Sequence, residues 1–328
     1  MNPIRAFIPF LGCLVLVAFS APSGAAETVT VDNYVRAETD VTFDRYVKQG
    51  AFGKLLHVRA PVPIDKQGVI RMNRDTLYSA AVFDLSEPVT IVKPDGGGRF
   101  QSMLVISQDH YMLPVVHEAG EFTLTREKVG TRYAMALFRT FVDANDPSDV
   151  AAANALQDRI GVRQAAVGTF DVPEWDEASL KTIRDALNVL AGSRSSAKGM
   201  FGEKSKLNPI SHLLGAAYGW GGNPDEAAAY ENVVPEGNDG ATPYSVTVKD
   251  VPVDGFWSIT VYNKDGFMEK NDQDAYSYNN VTAKKNPDGS ITVNFGGGPG
   301  AVNNLPITPG WSYIVRLYQP RKEILDGS

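Results

Sequence analysis

Two short polar runs and four histidines carry the side chains of this sequence whose types and spacing suit chemistry. In the first run, Ser107-Gln108-Asp109-His110-Tyr111, an imidazole stands beside a carboxylate directly after an apolar stretch. Such a pair suits proton transfer, and the end of a strand is where reactive groups are commonly displayed. The plainer reading is that Asp109 ends the strand and His110 bonds a main-chain carbonyl. The second run, residues 73–79, holds an amide, a guanidinium, a carboxylate, two hydroxyls and a phenol. A strand would send alternate members to one side, where they line a polar pocket; a loop in which Asn73 and Asp75 bond their own backbone is the competing reading. If both runs adjoin strands of one module, Asn73, Asp75 and Tyr78 gather near Asp109 and His110 as the floor of a cleft. Asp75, Tyr78, Asp109 and His110 are then the candidate catalytic residues. Carboxylates around His110 would raise its pKa above the reference of about 6.5 unless burial outweighs them.

A second set suits binding. Trp220, Trp257, Tyr262 and Tyr318 offer flat apolar faces, and Asn73 and Asn223 offer amides, for a small sugar-like or lipid-like ligand. Trp257 and Tyr262 are an odd number of residues apart, so on one strand they point to opposite faces and at most one need line a cavity. Arg316, in Val315-Arg316-Leu317, must face solvent or a polar pocket, and in a pocket it should pair with a carboxylate. His57 and His212 lie in apolar company and read as core or interface residues. His117 joins a metal site only if the chain turns back toward His110, so no metal is assigned and no cofactor is specified. Gly-x-Ser-x-Gly, Gly-x-x-x-x-Gly-Lys and His-Glu-x-x-His are absent, and the Ser-x-x-Lys at residues 195–198 has no Lys-Thr-Gly to accompany it.

The compartment follows from the first residues. Arg5, an apolar run over residues 6–19 and the small residues Ser23-Gly24-Ala25-Ala26 read as a secretory signal peptide cleaved after Ala26, which places the protein in the periplasm or outside the cell. Cys13 weakly resembles a lipidation site, but the apolar run continues past it. Removal of residues 1–26 leaves 328 − 26 = 302 residues, no thiol and a net charge of 30 − 38 = −8. Disulfides, thiolate metal sites and a cysteine nucleophile are thereby excluded. Acidity spread along the chain leaves no footprint for nucleic acid or an anionic membrane surface, and nothing in it sets an oligomeric state. No membrane span remains after cleavage.

The elements that would position these residues follow from periodicity. A helix is expected over residues 31–49, ending near Gly50. Short runs rich in β-branched and aromatic residues follow at 80–85, 89–92, 100–106, 121–124 and 133–141. Amphipathic helices opened by proline and acidic residues are expected at 147–160 and 173–190, then a polar hinge at 193–206. Strands return at 244–248, 256–262, 290–295 and 311–318, with Asn286-Pro287-Asp288-Gly289 as a turn. The expected plan is mainly β: a β-rich module at 27–143, a helical connector and hinge at 144–212, and a second β-module at 213–328, both antiparallel.

Residues 73–78, followed by Phe83-Asp84-Leu85 and Pro88, resemble the family known as domain of unknown function 1254. Residues 255–262, 286–290, Leu305-Pro306 and Arg316-Leu317-Tyr318 through Pro320 to Asp326-Gly327 resemble its usual companion, domain of unknown function 1214. Relatives commonly carry a tryptophan where this chain has Asn304, and often continue beyond the position of Ser328. The resemblance implies β-sandwich or jelly-roll-like modules joined by a helical element in an exported bacterial family, and implies no reaction. Two functions therefore stand: binding of a small sugar-like or lipid-like ligand in a cleft of the β-modules, or a periplasmic hydrolase or lyase with a carboxylate, His and Tyr acid–base site.

Overall fold

The computed structural model describes residues 26–68, 70–194, 196–298 and 300–327. The expected leader up to residue 25, with Cys13, and Ser195 of the Ser-x-x-Lys pattern lie outside the described residues. The first part of the chain runs α1 (Tyr34–Lys48), β1 (Leu56–His57), β2 (Thr76–Asp84), β3 (Val89–Lys93), β4 (Gln101–Ser107), β5 (Gly120–Leu124), α2 (Arg126–Val129), β6 (Tyr133–Phe141), α3 (Pro147–Asp158), β7 (Gly161–Gln164), α4 (Glu177–Ala191) and α5 (Pro209–Tyr218). Strands β1, β2, β6 and β4 form one antiparallel sheet in that order, and β5, β3 and β7 form a second.

Between these two sheets lies one apolar layer: Phe83, Met103, Val105 and Phe138 of the first meet Val89, Ile91 and Leu124 of the second. The other face of the first sheet, with Val82, Leu104, Ile106 and Met135, packs against Phe43 of α1, Leu180 and Leu187 of α4 and Leu214 of α5. Strands covered on both sides read as nearly continuous apolar runs, as residues 80–85 do.

This placement changes the expected role of residues 144–212. Strand β7 pairs with β3, α4 lies on α1 and α5, and the chain near residue 27 is tied to the same region by Glu27 N–H to the Glu174 carbonyl at 2.7 Å and Asp176 N–H to the Glu27 carbonyl at 2.9 Å. The segment thus completes the first module more than it connects two. The cause is the apolar stripe of α4, which needs cover and finds it on the open face of the first sheet. Helices α3, α4 and α5 start where side chains of Asp146, Asp176 and Asn208 accept main-chain N–H bonds from the first turn, two of them followed by proline.

The second module contains β8 (Ala228–Val233), β9 (Tyr244–Val248), β10 (Trp257–Tyr262), β11 (Ser277–Asn279), β12 (Ile291–Phe295), β13 (Asn304–Leu305), β14 (Ser312–Tyr318) and α6 (Lys322–Leu325). Its sheets run β11-β10-β14-β8 and β13-β12-β9; all pairings are antiparallel except the short β12 with β13. They enclose Trp257, Ile259, Val261, Val293, Phe295, Leu305 and Trp311. Asn286 to Gly289 form the expected turn, with Gly289 at a φ of 83° and the Asp288 carboxylate accepting from Ser290 N–H. Among the described residues no helix is long and apolar enough to cross a membrane.

Candidate functional site

The outer face of the β11-β10-β14-β8 sheet is polar and turned toward the first module. Register places Asn279, Ser258, Arg316 and Tyr230 in one row across its four strands, a span of about 14 Å. In the first module Tyr78, Arg139 and Ser102 form a corresponding row across β2, β6 and β4. The residues before β2 join the two. Arg316 donates to the Arg71 carbonyl at 2.9 Å, to Thr260 Oγ1 at 2.9 Å and to the Tyr262 hydroxyl at 2.6 Å, and Tyr262 donates to the Met72 carbonyl at 2.8 Å. Asn73 Nδ2 donates to the Tyr318 hydroxyl at 2.8 Å. Asp75 Oδ1 accepts from Ser277 Oγ at 2.9 Å and from Asn279 Nδ2 at 3.3 Å, while its Oδ2 is buried without a partner.

Arg139 stands at the other side of this junction. It donates to Asn223 Oδ1 and to the Gly221 carbonyl, both at 2.8 Å, and its guanidinium carbon lies 5.5 Å from the centre of the Tyr78 ring. Asn223 Nδ2 in turn donates to the Tyr230 hydroxyl at 3.1 Å. Both guanidiniums are buried, Arg139 at 5% and Arg316 at 4% exposure. Burial pushes the Tyr78 phenol up, but the charge and hydrogen bond of Arg139 outweigh it, and the phenol ends below its ordinary range. Tyr230, Tyr262 and Tyr318 are raised by burial despite the same guanidiniums.

The two polar runs do not meet. Strands β2 and β4 flank β6 antiparallel to it, so they run in the same direction, and the start of β2 and the end of β4 lie at opposite ends of the sheet. Along β6 the partners of Tyr78 and Ser107, Arg139 and Ala134, are about 17 Å apart. Asp109 forms an ion pair with Arg36. His110, at a left-handed φ of 60°, is fully buried; its Nε2 accepts from Gly221 N–H at 3.0 Å and its Nδ1 has no partner. Burial, with His212 adding, pushes its pKa down to about 3, opposite to the rise that nearby carboxylates would cause. The Gly221 peptide thus hydrogen-bonds His110 through its N–H and Arg139 through its carbonyl, so His110 positions the loop that carries Asn223. Trp220 lies 5.4 Å from His110 between ring centres and donates to Thr39 Oγ1, within the helical layer. Trp257 lies in the interior of the second sandwich.

The structure therefore brings together Asn73, Asp75, Tyr78, Asn223 and Tyr262, and sets Asp109, His110, Trp220 and Trp257 apart from them. Arg316 is at the junction too, but its hydrogen bonds go to neutral acceptors and not to the expected carboxylate; Asp75 acts on it through charge alone. Tyr318, expected as a flat apolar face, is at the junction as well, whereas Arg139 and Tyr230 carry no expectation from the sequence. For Arg139 the signal was present, since Leu137-Phe138-Arg139-Thr140-Phe141 embeds a charge in an apolar run just as Arg316 is embedded.

Beside the polar rows lies a cleft of about 600 Å³ between the modules. Phe100 and Phe141 of the first module and Phe256 of the second form its floor; α3 contributes Ala152, Ala155 and Leu156, and Arg159 follows at its C-terminal cap. Phe100 and Phe256 pack on Tyr318 at 5.3 and 4.3 Å, so this ring separates cleft from polar rows. The modules meet closely here: a Cβ on Gly255 of the second would stand 3.2 Å from Phe100 Cδ2 of the first. At the rim, Arg99 is held by Asp149 and the Phe141 carbonyl, whereas Arg159 is exposed and has no polar partner among the described residues. Smaller pockets flank the row itself, about 150 Å³ at Asp75, Ser277 and Asn279 and about 140 Å³ at Asn223 and Tyr230. Among the described residues no group of three His, Cys, Asp or Glu side chains is placed to hold a metal.

Residues 52–164 match the family described as a protein of unknown function, DUF1254, and residues 228–322 match that described as a protein of unknown function, DUF1214. No curated protein matches the chain. Among solved structures, the VPA0106 protein from Vibrio parahaemolyticus is 17% identical with a TM-score of 0.67, over 90% of this chain and 94% of that one. An uncharacterized protein from Burkholderia cenocepacia is 14% identical with a TM-score of 0.51, over 89% of this chain and 85% of that one. These likenesses are of fold alone.

Proposed function

We propose that this chain, which pairs a DUF1254 domain with a DUF1214 domain, is an exported binding protein that holds a small lipid-like acid in the cleft between its two β-modules. The observation that carries the reading is the 600 Å³ cleft itself, with three phenylalanines drawn from both modules below it and the unpartnered guanidinium of Arg159 at its edge. That volume is in the range of small-molecule sites, and an apolar floor with an unpaired guanidinium at its edge suits an acyl or aryl chain ending in a carboxylate. Titration with decanoate against a fluorescent apolar probe tests it, with glucose and glucuronate for comparison. Decanoate should displace the probe from wild type; Ala155→Trp, which fills the cleft from an exposed helical position, should abolish displacement, and Arg159→Glu should weaken it about tenfold. Displacement unaffected by either variant would end the proposal. The expected export rests on the leader and is checked by N-terminal sequencing, which should find Glu27 first in the extracytoplasmic fraction.

The alternative, a hydrolase or lyase, retains support from one group: the Tyr78 phenol, whose pKa Arg139 holds below its ordinary range and which is thereby a better proton donor than a free phenol. Its test is conversion of a bound acid by wild type but not by Tyr78→Phe.

A further inference from the structure

Asp75 is a buried carboxylate, 3% exposed, with only one of its two oxygens satisfied. Oδ1 accepts from Ser277 Oγ at 2.9 Å and from Asn279 Nδ2 at 3.3 Å, whereas Oδ2 has no partner among the described residues. The Ser277 hydroxyl has one proton and gives it to Oδ1, so it has none for Oδ2. The main chain of Asp75 is fixed as well, its N–H to Asn73 Oδ1 at 2.8 Å and its carbonyl to Val142 N–H at 2.9 Å. A carboxylate can only accept, and a charged oxygen buried without a donor is costly. The missing donor must come from outside the chain.

Space for it lies alongside. Asp75, Ser277 and Asn279 line the pocket of about 150 Å³, and Asp143, Ala144 and Asn145 complete its wall on the first module. That is roughly the volume of five waters. The charges around it leave a negative excess. Arg316 offsets Asp75; Arg74, which lies 5.2 Å over the Tyr276 ring and donates to the Val62 carbonyl, is offset by Asp274. Asp143 forms no ion pair among the described residues, and its Oδ1 accepts from Asn145 N–H at 3.0 Å. Asn145 Nδ2 donates to the Asp274 carbonyl at 3.1 Å and leaves the amide oxygen as an acceptor. A set of acceptors with a surplus carboxylate suits an ammonium group, which brings a positive charge, three donors and no acceptor. It suits a metal ion less, because no three acidic or imidazole side chains converge among the described residues. We propose that this pocket binds the head of a small primary amine, with one ammonium N–H on Asp75 Oδ2 and the others turned to Asp143 and the Asn145 amide oxygen. The pocket adjoins the cleft, since Phe141 and Val281 line the cleft while Val142 and Thr282 line the pocket, but the two share no lining residue. The site stands or falls independently of the proposed function.

Thermal unfolding of the full chain in the chlorides of methylammonium, tetramethylammonium, sodium and calcium at equal ionic strength tests the assignment. Methylammonium should raise the melting temperature of wild type above its value in sodium by about 3 °C or more at saturation. Tetramethylammonium, with the same charge and no N–H, should not. Asp75→Asn should weaken the methylammonium response about tenfold, the loss of a charge-assisted bond, and Ala144→Phe should abolish it by filling the pocket from a half-buried loop position. Should Asp75→Asn fail to fold, Ala144→Phe and the comparison with tetramethylammonium decide. No response in wild type would leave Oδ2 to water and overturn the proposal, and so would an undiminished response in Asp75→Asn. An equal response to tetramethylammonium would reduce the effect to charge, and a larger one to calcium would make this a metal site; either overturns it. Ala155→Trp, which fills the cleft, should leave the response intact; its loss there would move the amine to the cleft and remove this site.

Discussion

The sheet of β11, β10, β14 and β8 has two faces, both buried, filled by opposite chemistry. Toward the second module's own interior it presents Trp257, Ile259, Val261, Tyr313, Val315 and Leu317; toward the first module it presents Ser258, Thr260, Tyr262, Arg316 and Tyr318. The first face needs only shape and volume, because apolar burial has no direction. On the second, each polar group needs a partner at the right angle, and several partners come from residues 71–75 of the other module. The apolar face holds its module together, and the polar face fixes how the two modules sit on each other.

That contrast can be broken most severely in the apolar interior. Phe295→Ala, at a side chain with no exposure packed 4.8 Å from Trp311, should cost about 3–5 kcal/mol in urea unfolding. A loss below about 1 kcal/mol would mean that this face is not the stabilising one. Next comes the polar pocket inside the helical layer. His110 titrates at about 3 in the folded chain and near 6.5 unfolded, so the unfolded state takes up the proton first. Its stabilising effect is complete above the unfolded value and is lost as pH falls from there toward 3; at pH 4.5 the loss is about 2–3 kcal/mol. Asp40, which burial pushes up to about 6, works in the opposite direction, so the comparison must be of wild type with His110→Gln. The variant, which keeps an acceptor for Gly221 N–H, should show a flatter dependence between pH 7 and 4.5; equal slopes would show that His110 is not the group responsible.

Arg316→Met should have a smaller effect, about 1–2 kcal/mol. It removes the donor to the Arg71 carbonyl and one of two partners of the Thr260 hydroxyl, which keeps its bond to Ser277 Oγ, but relieves the burial of a charge. Retention of full stability by this variant would show that the polar face contributes orientation without stability. The smallest change is expected at Ser258, whose hydroxyl is buried without a partner in the same row. Ser258→Ala should be neutral or stabilise by up to about 1 kcal/mol in the same unfolding assay, and a clear destabilisation would reveal a hydrogen bond, such as one to an ordered water, at that position.

How far the sequence could be read depended on how local the signal was. Strands such as β6, β9 and β14 fall within a residue of their expected limits, because alternation or a continuous apolar run is visible without knowing the partner. Short or mixed segments such as β7 and β8 gave no such pattern, and α5 was missed although Asn208-Pro209 carries a legible N-terminal signal. Within the site, the residue types were readable but their grouping was not. Asn73, Tyr78 and Tyr318 are united by a register between modules more than 200 residues apart in sequence. His110 reads on local grounds as an acid–base group or as a donor to a main-chain carbonyl, whereas it accepts from the N–H of Gly221, 111 residues further along.

The segments that close the first module set a schedule for its folding. Strand β7, the Trp175 region bonded to Glu27, and α5 all arrive late, so its helical layer is incomplete until residue 218 has emerged, about two thirds of the 328-residue chain. Contacts so distant in sequence form slowly, and until then one face of the first sheet has only α1 to cover it. The chain at Glu27 is accordingly fixed only once residues 174–176 pair with it, so the start of the first module is among the last of its parts to be secured.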